Sequence, residues 1–171
     1  MESQGGSVLT QGEADEARTD AGTRPHPQPR FELTGNVERT LDPKGRLVIP
    51  AQVRARFDDG VFLLPWAGPS VALIPTDEFR KIERRLRKKQ RETMSDPDAH
   101  LALTSLATHA FPDAQGRVFI PEPTRQHGHL TDELLVVGRM NRLELWEPAA
   151  FRAKQAAMIA ALDAQIFTEA L

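Results

Sequence analysis

Asp42-Pro43-Lys44-Gly45-Arg46-Leu47-Val48-Ile49-Pro50 returns 71 residues later as Asp113-Ala114-Gln115-Gly116-Arg117-Val118-Phe119-Ile120-Pro121. In the first copy Asp42 caps a turn, Pro43 pre-sets φ at the second position, and Gly45 supplies the positive φ that closes it. The flanking residues read as hairpin arms, with Val37, Arg39 and Leu41 on one side and Arg46–Ile49 on the other. Pro50 ends the second arm and opens a short helix as its first residue, with Val53 and Phe57 turned inward and Gly60 closing it.

The echo continues downstream. Leu63-Leu64 align with Leu135-Val136, Val71 with Leu143, Leu73 with Leu145, and Phe79 with Phe151, at an offset of 72 after one inserted residue near 57–60. Within the unit, Val61–Leu64 and Ser70–Ile74 read as strands around the Trp66-Ala67-Gly68-Pro69 turn. Thr76 reads as the cap of a helix whose first turn carries Asp77 and Glu78, favourable at a positive dipole end. The order is β-β-α-β-β-α, twice, an α+β fold that is mainly β. Strands this short cannot shield their own edges, so the two copies are expected to interleave into one compact barrel. The expected divisions are a disordered extension over 1–30, a first repeat with a basic helix over 31–95, and a second repeat with a C-terminal helix over 96–171. Residues 1–30 lack aromatics and end in a Pro-rich run, a composition that cannot offset its chain entropy.

The 171 residues, 40% apolar and 27% charged, suit one ordinary domain or two small ones in tandem. No apolar run approaches the ~18 residues of a membrane span, and no charged-then-apolar leader opens the sequence. With Cys at 0, disulfides, thiolate-bound zinc and thiol catalysis fall away, and a cytoplasmic location is expected. The net charge of −2 hides an asymmetry: residues 31–95 carry net +4 and residues 96–171 net −4. A basic stretch beside an acidic one points to a polyanion-facing half.

Catalytic patterns are missing. There is no phosphate-cradling Gly loop, no His-Glu-x-x-His and no Gly-x-Ser-x-Gly, so neither an enzyme nor a cofactor is expected. Asp58-Asp59 before Gly60 read as a loop, and His100, His109, His127 and His129 lack metal-ligand spacing. Two basic features remain. One is the arginine after each turn. The other is the run Arg80–Arg91, with 8 basic residues against Glu83 alone, while Phe79, Ile82 and Leu86 form a buried stripe. A solvated helix face is the plain reading of that run, and phosphate contact is the alternative.

Leu41-Asp42-x-Lys44-Gly45-Arg46-Leu47-x-Ile49-Pro50 resembles the first-repeat motif of the MraZ family, bacterial transcriptional regulators built of two tandem SpoVT-AbrB-like units. Arg125-Gln126-His127, Leu130-Thr131-x-Glu133, Val136-Val137-Gly138 and Asn141-x-Leu143-Glu144-Leu145-Trp146 extend the resemblance through the second copy. It implies a swapped-hairpin, double-split β-barrel with flanking helices, assembled into a homo-oligomeric ring. It also implies a nucleoid-associated repressor that binds double-stranded DNA at direct repeats upstream of its own division and cell-wall genes. No membrane or small-molecule partner is implied. A protein-interaction module of the antitoxin type is the alternative.

The resemblance carries DNA contact to Arg46 and its turn, which makes Asp42, Lys44, Gly45, Arg46, Arg39 and Arg54 the candidate site residues. A hairpin or ribbon fits the major groove, where arginine grips guanine O6 and N7, while Lys44 at the tip suits a phosphate. Charge sets the copies apart. Arg39 and Lys44 of the first are matched by Ala110 and Gln115 in the second, although Arg125 still matches Arg54. Arg46 is therefore expected to read DNA and Arg117 to be mainly structural.

Overall fold

A computed structural model describes residues 33–93 and 97–169; the extension expected over 1–30 lies outside the described residues. The strands are β1 (Asn36–Thr40), β2 (Arg46–Val48), β3 (Val61–Trp66), β4 (Ser70–Pro75), β5 (Thr108–Ala110), β6 (Arg117–Phe119), β7 (Glu133–Gly138) and β8 (Leu143–Trp146). The α-helices are α1 (Thr76–Thr93), α2 (Pro97–Leu106), α3 (Glu122–His127) and α4 (Pro148–Glu169).

Six strands form one antiparallel sheet in the order β1-β7-β8-β4-β3-β5, and β2 pairs with β6 in a separate two-stranded ribbon. The fold is thus mainly antiparallel sheet with helices; a closed barrel is not seen among the described residues. Exchanging strands at matching positions of the two copies (β1 with β5, β3 with β7, β4 with β8) returns the same sheet order, so the sheet is symmetric about the β4–β8 pair.

The expected hairpins do not form. Both turns are present, closed by Gly45 N–H to Asp42 O (2.8 Å) and Gly116 N–H to Asp113 O (2.7 Å). Beyond a single bridge between Leu41 and Leu47, however, the arms part. β1 runs along β7, with Val37 opposite Val136, and β2 runs along β6, with Leu47 opposite Val118. Two reciprocal bonds complete the ribbon: Ile49 N–H to Gly116 O (2.9 Å) and Ile120 N–H to Gly45 O (3.0 Å). Burial explains the exchange, because Leu47, Ile49, Val118 and Ile120 all enter one core against the sheet.

Alternation along the strands divides the molecule into layers. Val61, Leu63, Val71, Leu73, Val136 and Leu145 face the ribbon. Leu64, Ala72 and Ile74 face the other way, onto Phe79 of α1 and Leu103 of α2. Leu135, Val137 and Trp146 face Phe151 of α4, on the same side as α1.

Two local expectations are corrected, and one helix is added to those expected. The helix expected from Pro50 is a 3-10 turn over Arg54–Phe57, with Phe57 buried. Gly60 at φ +100 stops it after one turn. Thr76 does not cap α1; its hydroxyl donates to Asp59 O (3.0 Å) and meets His109 Nε2 (3.3 Å). Finally, α2 was not expected, since of Leu101, Leu103 and Leu106 only Leu103 is buried and no helical period stands out.

One buried charge anchors the helix side. Glu144, 4% exposed, accepts from Arg142 Nε and Nη2 (3.0 and 2.7 Å) and from Trp146 Nε1 (3.2 Å). Arg142 in turn lies over the Trp66 ring at 4.7 Å. A buried carboxylate satisfied on both oxygens holds its neighbours in one arrangement, and Trp146 meets Phe151 of α4 edge-on at 5.9 Å.

Candidate nucleic-acid interface

The exposed face of the ribbon is built from four side chains. In β2 and β6 the middle residues Leu47 and Val118 point to the core, so Arg46, Val48, Arg117 and Phe119 share the outer face. Register sets Arg46 opposite Phe119 and Val48 opposite Arg117. Val48 is 40% and Phe119 51% exposed, large apolar groups held outward between two arginines.

Each arginine is held by the aspartate of its own turn. Asp42 Oδ1 accepts the Lys44 and Arg46 amides (2.9 and 3.0 Å), and Oδ2 accepts Arg46 Nε (2.7 Å) and pairs with Nη2 (2.7 Å). Asp113 repeats this with the Gln115 and Arg117 amides (both 2.9 Å) and Arg117 Nε (2.7 Å). Arg46 Nη1 also lies 3.9 Å from Asp113 Oδ2, so one guanidinium stands between both aspartates. Burial pulls the Asp42 carboxyl upward, but the Arg46 amide and guanidinium and the Lys44 amide hold it below the ordinary range. The Arg117 amide leads the same downward shift at Asp113, against a smaller effect of burial. Arg46 keeps 28% of its side chain exposed. Exchanging the carboxylate for an acceptor pair on a guanine edge conserves its two-pronged bonding.

Of the other candidates, Lys44 is exposed at the tip of the turn, and Gly45 is buried at φ +73. Arg39 lies on β1 with Val37, on the ribbon side of the sheet, and its Nη1 donates to Glu38 O (2.9 Å). Arg54 is the exception. Expected beside the first turn, it crosses to the second, where its side chain covers Gly116 while Nη2 reaches Ile49 O (3.3 Å). Arg125, paired with Glu122, covers Gly45 in exchange. The two turns therefore differ less in local charge than distance along the chain suggested, and Arg117 stands on the same face as Arg46. The signal for this crossing was the match of Arg54 with Arg125, which sequence cannot assign to its own turn or to the other.

Among the described residues no cluster of three or more His, Asp or Glu is arranged to hold a metal, and no helix is long and apolar enough to cross a membrane. A family model described as "MraZ protein, putative antitoxin-like" matches residues 103–170. A protein named transcriptional regulator MraZ from Mycolicibacterium smegmatis is 35% identical over 126 residues, covering 72% of this chain and 86% of that protein. The protein of that name from Cutibacterium acnes is 35% identical over 107 residues, 63% of this chain and 75% of its own. That from Mycobacterium avium is 33% identical over 121 residues, 69% and 82% respectively. With the paired turns, the second-copy motifs and these matches together, the chain belongs to the MraZ family.

Proposed function

We propose that this protein is a sequence-specific, DNA-binding transcriptional regulator, a repressor of its own division and cell-wall genes through direct repeats upstream of them. The observation that carries the reading is the ribbon face, where two arginine forks flank Val48 and Phe119 on a two-stranded element. A β-ribbon of that width enters the major groove, arginine reads guanine there, and an apolar side chain meets the thymine methyl. Arg46 is the principal reader, with Arg117 beside it. Lys44, and Arg39 behind it, supply phosphate attraction; Asp42 and Gly45 shape the turn, and Arg54 braces the opposite one.

The same reading takes residues 31–95 and 96–171 as two SpoVT-AbrB-like repeats interleaved in a double-split barrel, without catalytic activity, in a nucleoid-associated cytoplasmic protein. Exposed Ile159 and Leu162 on α4, and Leu101 and Leu106 on α2, suit burial between copies in a ring. The alternative, an antitoxin-like module, uses those apolar residues to hold another protein.

Titration of upstream and scrambled duplexes tests the reading. Arg46→Ala removes base contacts worth ~1–3 kcal/mol per engaged site. Lys44→Ala weakens all sequences alike and lowers the salt slope by ~0.9 for each phosphate it leaves unneutralised. Retention of upstream preference by Arg46→Ala, with the oligomer intact by light scattering, rejects the assignment.

A further inference from the structure

A strongly basic surface among the described residues lies away from the ribbon. On α1, Arg80, Arg84, Lys88 and Arg91 follow one another at steps of four and three, and Arg87 stands at the same steps between Arg84 and Arg91, so the five share one stripe. The apolar stripe of the same helix, buried Phe79 with half-buried Ile82 and Leu86, packs on the sheet. At 100° per residue the two stripes lie on opposite sides of α1, and the cations point to solvent. Arg84, Arg87, Lys88 and Arg91 line one open cleft of about 530 Å³. Acids are few between Arg80 and Arg91. Glu83 is the sole acid between Arg80 and Arg91, and it is committed to Arg87 (2.5 Å). Asp77 and Glu78 are taken by Lys81 and Arg56. Arg84 and Arg91 have no acidic partner among the described residues. The ladder of the sheet fixes where this surface stands: α1 packs on the face of β3 and β4 opposite to the one that covers the ribbon.

We infer that this stripe is a second, sequence-independent DNA-binding surface, with which the protein holds a duplex segment other than the one on its ribbon. Charge complementarity selects the occupant. Adjacent guanidinium and ammonium groups along about 10 Å of helix meet a polyanion carrying a charge every ~1.7 Å of its axis. Direction selects the arrangement: a straight duplex seated on the ribbon runs along one face of the sheet, and the stripe looks out from the other. The bridging part of the inference rests on the reading of the ribbon as a DNA face, whereas the phosphate contact does not.

The test uses the full chain. An upstream duplex is immobilised, protein is added, and retention of a labelled scrambled duplex is measured for wild type, Arg46→Ala and the quadruple variant R84Q/R87Q/K88Q/R91Q. Glutamine is a good helix former on an exposed face, so the variant keeps the fold. It is expected to bind the upstream duplex at low salt and to lose capture of the second duplex. Its salt slope for scrambled DNA is expected to be smaller by ~0.9 per phosphate, or ~3.6 if all four side chains engage. Undiminished capture and an unchanged slope overturn the inference. So does a changed particle size in light scattering, which makes the stripe an assembly surface. Failure of the ribbon reading is seen separately, as retained upstream preference in Arg46→Ala.

Discussion

The two turn glycines occupy the same place in their copies yet should tolerate a methyl group very differently. Both sit in the left-handed region, at φ +73 for Gly45 and φ +75 for Gly116. Alanine at either position therefore carries the steric cost of that conformation, about 1–2 kcal/mol. At Gly45 the added Cβ stands 3.1 Å from Arg125 Cζ and 3.2 Å from Nη1, a clash relieved by a shift of a few tenths of an ångström. At Gly116 it falls within the Arg54 side chain, with Cδ only 2.6 Å away. Arg54 must leave, and its bond to Ile49 O goes with it, a further ~1 kcal/mol beside the packing of its methylenes. Gly116→Ala should then cost ~2–4 kcal/mol against ~1–2 for Gly45→Ala. Urea denaturation with an unchanged m-value measures both. Arg54→Ala in the same chain supplies the control, because it removes the obstruction and should bring the Gly116→Ala cost down to that of Gly45→Ala. Equal costs for the two single variants, or strict additivity in the double one, would refute the reasoning.

Two further outcomes are expected. Arg142→Ala strips Glu144 of its closest cation and should destabilise by about 3 kcal/mol, whereas R142M/E144M removes the pair together and should recover part of that in the same denaturation, the buried Trp146 Nε1 being left without its acceptor. Asp42 and Asp113 titrate below the ordinary carboxyl value of 3.8 when folded, so the unfolded chain takes up their protons first. Their stabilisation is full above that value and is lost as pH falls through the lower folded one. D42N/D113N keeps an Oδ1 acceptor for the turn amides and should flatten the acid limb of a pH–melting profile. An acid limb as steep as that of wild type would assign the effect to other groups, beginning with Glu147, whose carboxylate is held down by the Ala149 and Ala150 amides.

What was legible in the sequence was local. Asp42, Pro43 and Gly45 specify a turn through their own backbone preferences, and the turn is there. The apolar stripe Phe79, Ile82 and Leu86 on α1 was legible for the same reason, since its whole period lies in one stretch. The pairing of the arms was not. When two segments share the pattern Gly-Arg-aliphatic-x-Ile-Pro, each offers the other the same ladder that a hairpin offers itself. The choice between them is made by burial of Leu47 and Val118 across the whole core. Arg54 was misplaced by the same ambiguity. The role of Glu144 was hidden too, because a carboxylate in an aliphatic strand shows its partners, Arg142 and Trp146, only once the strand and its turn are built. For α2 the available signal was Pro97 at the first helical position with Asp98 behind it, a start signal without an amphipathic period to support it.

The crossed ribbon has a consequence for the protein's birth on the ribosome. β2 finds its partner in β6, with Leu47 against Val118, and β1 finds its own in β7. At roughly 5–20 residues per second, the ~70 residues between β2 and β6 take about 4–14 s to synthesise. Through that interval Arg46 has been made, but the surface that would present it has not. The nascent chain acquires its ribbon only after β6 emerges, so a truncated translation product holding the first copy alone would carry Arg46 without the two-stranded face that presents it.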